Sequence, residues 1–419
     1  MSDVAAATTR TEPLTPVTGR WIALFAAAWL GVWMAQLTPI QLLLPAQIET
    51  ELRTNYWVDN VLWFGVVSGI AGVCAIIAYP LTGALSDRTT SRFGRRRPWV
   101  AGGAALFALA LLALGAQTTM AGIAICWALA LTGFCVLTAA LTAMISDQVP
   151  VGQRGYVSGW MSAPQAIGII LGLALVTILG LGTLGGYELA AAALALLVAP
   201  FLLVVPDPRH YARGLPPLTP RRIAGELWIS PRTHPDFGWT LLSRVLVNLG
   251  NAFGTGLLLY FLEFGLGDRN AENDLIPIVF VYMVFVIAAS LALGGISDRL
   301  QRRKLFVFLA SVVQAIAALL LAFLPSLPMT YVGGALLGIG YGCFLAVDQA
   351  LATQVLPDPE TRGKDLGIMN IAWAIPQAFG PLLGGIVVFW LGGFTGLFIL
   401  AGVAALGGAF AVARVRSVA

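Results

Sequence analysis

Charge is what this sequence has least of. Of its 419 residues only 24 are Lys or Arg and 20 Asp or Glu, 11% where soluble domains carry about 25%. An ordinary water-soluble globule is excluded on that ground alone. Histidine is nearly absent: His210 and His234 are the two in the chain, so an enzyme's acid–base pair or metal cluster has little to be built from. The four cysteines, Cys74, Cys126, Cys135 and Cys343, all fall inside apolar runs at no metal-ligand spacing. Neither a disulfide framework nor a metal site is expected. No glycine-rich loop followed by Lys-Ser or Lys-Thr occurs, which argues against nucleotide-driven pumping, and no cofactor is expected. The first twenty residues have no apolar core and no small-residue cleavage pattern, so a removed signal peptide is not expected. The net charge of +4 gives no sign of nucleic acid as a partner.

What the sequence has is hydrophobicity, 58% of residues with a mean hydropathy of +0.85. A helix needs about 20 apolar residues to cross a bilayer. An outer-membrane barrel would alternate over strands of about 10 residues, whereas these apolar runs are long and rich in Ala, Leu and Gly. The expected fold is all-α and integral to the membrane, with the lipid bilayer as solvent. Runs between charged or Pro-rich breaks fall near 21–45, 60–84, 99–117, 121–145, 157–181 and 187–205. Six more fall near 239–262, 275–296, 304–323, 330–354, 366–390 and 394–413, giving twelve transmembrane helices.

The chain therefore divides into a tail at 1–20, an N-terminal six-helix bundle at 21–205, a linker at 206–238, a C-terminal six-helix bundle at 239–413 and a tail at 414–419. The linker holds seven of the 23 prolines. Within it Thr219 and Pro220 fit the start of a short surface helix from Arg221 to Ile229. With both termini inside, only Arg53 and Arg269 of the 24 basic residues lie outside, beside Glu49, Glu51, Asp59, Glu188, Glu263, Asp268, Glu272 and Asp274. Basic residues stay on the cytoplasmic side, so tails and linker are assigned there. Arginine makes up 22 of the 24 basic residues, which points to a bacterial plasma (inner) membrane.

The halves repeat each other. Asp87-Arg88 returns as Asp298-Arg299, Arg154-Gly155 as Arg362-Gly363, and Pro164-Gln165-Ala166 with Gly168 as Pro376-Gln377-Ala378 with Gly380, at offsets of 211, 208 and 212. Such spacing predicts two parallel six-helix repeats related by an axis along the membrane normal.

Gly83-Ala84-Leu85-Ser86-Asp87-Arg88, followed by Arg92-Phe93-Gly94-Arg95-Arg96-Arg97-Pro98, resembles the loop motif of the major facilitator superfamily. A weaker copy, Gly294-Gly295-Ile296-Ser297-Asp298-Arg299 with Arg302-Arg303-Lys304, stands between spans 8 and 9. The resemblance covers nearly the whole chain. The physical need at that loop is a cytoplasmic latch, in which Gly83 allows close helix approach. Asp87, at a helix end, pairs with Arg88, Arg95 or Arg96, or with a facing helix N-terminus. Asp298, Arg299, Arg154 and Arg362 belong to the same set. Arg92 to Arg97 also read as plain positive-inside anchors. The longer spacing, with Thr89-Thr90-Ser91 before Arg92, looks most like sucrose carriers and glycoside cation symporters, and Leu37-Thr38-Pro39 adds to that likeness. Those carriers are proton-coupled.

Superfamily carriers line a central cavity with spans 1, 4, 7 and 10. Span 1 offers Trp29, Trp33 and Gln36; span 4 offers Thr132, Cys135, Thr138 and Thr142; span 7 offers Arg244, Asn248, Asn251 and Thr255; span 10 offers Tyr341 and Asp348. Rings that stack and amides that donate and accept suit a neutral, hydroxyl-rich or ring-shaped solute. Trp29 and Trp33 read equally as helix contacts, and the span 4 stripe as small residues for close packing. An arginine inside an apolar run costs at least about 2.5 to 3.5 kcal/mol unless paired or wet. Arg244 and Asp348 both lie roughly 7 to 10 Å below the cytoplasmic edge at about 1.5 Å per residue, so they can meet as an ion-coupling pair; the alternative for Arg244 is to snorkel to the interface. Spans 5 and 11 share Ser158, Ser162 and Gln165 in one and Asn370 and Gln377 in the other, with Gly168 and Gly172 matching Gly380 and Gly384. They are expected to be gating helices between the halves.

The function expected is secondary active transport of a small organic solute by alternating access, as a proton-coupled symporter of a sugar or sugar-like solute. The alternative is a proton-antiport exporter of a drug or metabolite, since Gly380-Pro381-Leu382-Leu383-Gly384-Gly385 resembles the exporters' antiport motif. The partners expected are that solute, a proton or other cation and the bilayer, with the protein as a monomer and not an enzyme.

Overall fold

In lipid, every backbone N–H and C=O must find its partner within the chain, so apolar runs of this length become helices. The computed structural model describes residues 15–53, 56–207, 233–300, 302–355, 362–391 and 393–416, a minority of them by backbone alone. Helix α1 runs over Gly19–Thr38, passes through a π-helical turn at Pro39–Leu43 and ends as Leu44–Leu52. Helices α2 (Trp57–Ser86), α3 (Arg97–Gly115), α4 (Met120–Gln148), α5 (Val151–Ile178) and α6 (Gly182–Val204) complete the first half. Helix α7 is Pro235–Gly256, continued after a 48° bend by Leu258–Gly265. Then follow α8 (Ala271–Leu300), α9 (Arg303–Phe323), α10 (Leu327–Gln354), α11 (Arg362–Trp390) and α12 (Phe394–Ala413). Among the described residues nine helices are long and apolar enough to cross a membrane, ten if the bent pair is one span. The surface helix expected from Arg221 to Ile229 lies outside the described residues.

Helix α1 outruns its expected end near residue 45. Pro45 lacks an N–H, which ordinarily stops a helix, but after the π-helical turn it stands among the first residues of a new helical stretch, where that group has no partner to lose. The extension is anchored by Gln47, whose amide donates to the Leu114 and Gln117 carbonyls at 2.8 and 3.0 Å.

Packing repeats pair for pair. In the first half α1 packs on α5 and α6, α2 on α4, and α3 on α4 and α6; in the second, α7 packs on α11 and α12, α8 on α10, and α9 on α10 and α12. The equivalent glycines show why. A Cβ on Gly168 would come within 3.0 Å of the Met34 amide nitrogen on α1, and one on Gly380 within 2.8 Å of Ala252 on α7. Both glycines serve close packing within their own half.

The halves meet mainly along α2 and α11 and, more lightly, along α5 and α8. Ring pairs and a hydrogen bond cross between them at the end opposite the arginine-rich loops. Trp57 stacks on Phe264 and on Phe394, Phe64 meets Tyr260 edge-on, and the Tyr260 hydroxyl donates to the Pro45 carbonyl at 3.2 Å. The carboxyl groups of Glu49 and Glu263 touch across the same seam. That end is closed.

Candidate solute and coupling site

Residues 244, 248, 251 and 255 follow one another at spacings of four, three and four along α7, so they share a face. Arg244 leads that face. Its Nε lies 2.9 Å from Asp348 Oδ2 on α10, with both side chains 5% exposed or less. Snorkelling is thereby excluded in this conformation: each charge is the other's compensation in a place where either alone would be costly. Arg244 Nη1 is buried with no hydrogen-bond partner among the described residues.

The asparagines extend the pair into a network. Asn248 donates its amide to the Arg244 carbonyl at 2.7 Å, which leaves Oδ1 to accept from the Tyr341 hydroxyl at 3.1 Å. One turn on, Asn251 Oδ1 accepts from Tyr282 at 3.0 Å, and Thr255 donates to the Asn251 carbonyl at 3.0 Å. Tyr341 and Asp348 stand seven residues apart on α10, two turns along one face. Tyr282, on α8, did not stand out in the sequence, because a tyrosine in an apolar run gives no pattern until its partner helix is known.

Next to Asn251 a cavity of about 30 Å³ is lined by residues that include Gln41, Gly254, Thr255, Tyr282 and Thr330. A single water needs about 10 to 15 Å³ by this measure, so there is room for a water or two and not for an organic solute.

On α1, Trp21, Phe25, Trp29 and Trp33 form a column with centroid separations of 4.9, 6.2 and 5.7 Å, continued by Phe134 at 6.0 Å. Trp29 and Trp33 are 3% and 8% exposed, so of the two readings of these rings the structure displays the packed one. Trp29 Nε1 and Gln36 Oε1 are nonetheless buried without a partner among the described residues. Thr138 is committed locally, donating to the Phe134 carbonyl at 2.7 Å and meeting the Tyr79 hydroxyl at 3.0 Å. Gln165 is half-buried on α5. The side chains of Gln377, Asn370, Ser158 and Ser162 lie outside the described set.

At the basic end the loop between α2 and α3 is knitted by charge. Asp87 Oδ1 accepts from Arg95 Nη2, and from Arg96 Nη2 at 2.6 Å. Arg96 Nε also reaches Asp147 Oδ2 on α4 at 2.7 Å, and its Nη1 donates to Ser86. Asp207, just past α6, accepts from the backbone amides of Arg96 and Arg97 at 2.5 and 2.9 Å, capping α3. Gly94 turns the loop at φ +106°, against Asp207. Among the described residues Asp87 thus pairs with arginines of its own loop; the side chains at the start of α11, where a facing helix would meet it, lie outside the described set. Among the described residues the close approach expected at Gly83 is not made: a Cβ there would meet nothing within 4 Å. Arg88 is half-buried and Arg299 exposed; the side chains of Asp298, Arg154 and Arg362 lie outside the described set. Asp147 and Asp207 were not anticipated as members, since their partners lie 51 and 111 residues away.

The sequence matches the Major Facilitator Superfamily over residues 22–278 and again over 270–418. The chain belongs to that superfamily. Its fold is similar to that of the nucleoside transporter NupG, with a TM-score of 0.73 at 16% identity, covering 94% of this chain and 99% of that one. Among curated proteins, the Triacylglyceride transporter of Mycobacteroides abscessus is 33% identical over 129 residues, 31% of this chain and 25% of that protein. The Tetracycline resistance protein, class H, of Pasteurella multocida is 27% identical over 152 residues, 35% and 37% of the two. The matched stretches thus span well under half of these relatives.

Proposed function

We propose that this superfamily transporter carries a small, hydroxyl-rich or ring-shaped organic solute by alternating access, as a proton-coupled symporter. The two bundles at 21–205 and 239–413, joined by the 206–238 linker, are the rocking units of a monomer. The basic face and both termini are cytoplasmic, in a plasma membrane.

The observation that carries the coupling is the buried Arg244–Asp348 pair at 2.9 Å. A carboxylate whose cation sits on a different helix changes its hold on a proton when those helices move, and α7 is bent by 48° below its far end. Residues 99–117 carry no charge, so the acid that sucrose carriers have in span 3 is missing and Asp348 takes that role. Trp29 Nε1, Gln36 Oε1 and Arg244 Nη1 are two donors and an acceptor left over on α1 and α7, groups of the kind that a hydroxyl-rich solute satisfies.

Proton-antiport export is the second reading, favoured by the likeness to the class H tetracycline resistance protein and by the Gly380–Gly385 string. The deciding experiment reconstitutes the purified chain in vesicles, with solutes chosen by a thermal-shift screen of sugars, glycosides and cationic drugs. Symport expects accumulation down an inward proton gradient; extrusion under that gradient favours export. Indifference of every stabilising solute to the gradient refutes proton coupling.

A further inference from the structure

The internal repeat exposes a place where the halves differ in charge. In the first half, the start of α3 is capped by the Asp207 carboxylate, three residues beyond the end of α6. In the second half, the equivalent helix start is that of α9, and the residue three beyond the end of α12 is Arg416. An anion of the chain has been exchanged for a cation. Arg302, at the N-cap of α9, makes no side-chain cap.

The same spot holds an open groove of about 350 Å³, lined by Arg302, Lys304, Leu305, Phe308 and Ala413. Arg302, Leu305 and Phe308 are spaced by three, so they descend one flank of α9 in a row, charge first and hydrocarbon below. Leu305 and Phe308 are 43% and 37% exposed, on a helix whose principal neighbours are α10 and α12, which leaves this flank to the acyl chains. Lys304 reaches across the groove and donates to the Val415 carbonyl at 2.7 Å, fixing its ammonium beside Arg302's helix start. Arg414 lies over the Phe410 ring at 4.7 Å. Among the described residues a carboxylate also stands near them, that of Asp236, which accepts from the Arg416 amide at 3.1 Å.

We propose that this groove binds one anionic phospholipid. Its phosphate lies against Arg302, Lys304 and the first turn of α9, in the place that Asp207 fills in the other half, and an acyl chain runs along Leu305 and Phe308. A free phosphate satisfies the cations but has no use for the apolar wall beneath them. The inference rests on the membrane fold and not on the identity of the solute.

The test uses the full-length chain, purified and delipidated, with bound lipid counted by native mass spectrometry and folding checked by thermal unfolding. The wild type is expected to retain one phosphatidylglycerol per chain in preference to phosphatidylcholine. Arg302→Gln with Lys304→Gln is expected to weaken phosphatidylglycerol about tenfold or more and leave phosphatidylcholine unchanged. Arg92→Gln removes a cation from the opposite half's loop and is expected to change neither. Arg416→Asp puts a carboxylate where the first half has one and is expected to expel the lipid from a folded protein, which keeps the test decisive even if the double variant unfolds. Undiminished phosphatidylglycerol in folded Arg416→Asp, an equal loss in Arg92→Gln, or full displacement by inorganic phosphate at matched concentration would each overturn the assignment.

Discussion

Trp57, at the start of α2, stacks on Phe264 of α7 with centroids 5.7 Å apart and planes 17° from parallel, so one ring of each half closes the seam opposite the arginines. A second stack on Phe394, at 5.4 Å, doubles the contact. Each aromatic pair is worth about 0.5 to 1.5 kcal/mol beyond burial. Trp57→Ala is therefore expected to shift the conformational balance toward opening at this end by on the order of tenfold or more. A cysteine at buried Asn60 reads the shift through its labelling rate in reconstituted protein. An unchanged rate means that other contacts hold the seam.

Asp87 holds Arg95 and Arg96, whose side chains are 7% and 4% exposed. Asp87→Asn removes one charge-assisted partner from each, while Asp147 still faces both. The expected loss is about 1.5 to 3 kcal/mol of local stability, with normal expression, lower transport and greater accessibility from the basic face. Asp147→Asn, which spares Asp87, is expected to produce the same direction of change. Wild-type accessibility in both variants would reduce these residues to anchors.

The physical reason that so much of the fold could be read ahead of the structure is that lipid leaves a chain few choices. Span number follows from apolar length, and the repeat from matched dipeptides. Arg244 and Asp348 were legible because a charge in hydrocarbon demands compensation, and two such charges at equal depth name each other. Asp207 was not, since it caps α3 through tertiary folding, and neither Asp nor its distant partner amides carry a local pattern. The π-helical turn at Pro39–Leu43 was hidden for a related reason: two prolines so close together read as a helix end unless the intervening turn is seen. Trp29 and Trp33 remained ambiguous because a stacking platform and a packed column use the same residues at the same spacing.

Sidedness is tested independently of transport. Cysteines at Thr90 and Asn270, in a background lacking Cys74, Cys126, Cys135 and Cys343, are expected to differ sharply toward an impermeant reagent applied to intact cells. On the proposed orientation, with the Arg95 to Arg97 loop on the cytoplasmic side, Asn270→Cys is expected to label and Thr90→Cys is not. The reverse pattern would invert every assignment of face.

Removing one member of the Arg244–Asp348 pair separates coupling from architecture. If the pair is structural, either single neutralisation leaves a buried charge and costs about 3 to 5 kcal/mol, whereas removing both restores much of the stability. If Asp348 carries the coupling proton, stability and function part company. Asp348→Asn keeps the shape of the site, so exchange of preloaded solute across the vesicle membrane is expected to persist while accumulation driven by a proton gradient is lost. Arg244→Gln leaves Asp348 without its cation, and accumulation is expected to fail there as well, with a larger drop in melting temperature. The double variant decides between the two roles. A folded Arg244→Gln/Asp348→Asn protein that exchanges solute but cannot concentrate it places the proton on Asp348; one that still concentrates solute moves the coupling elsewhere and leaves the pair as a strut between α7 and α10.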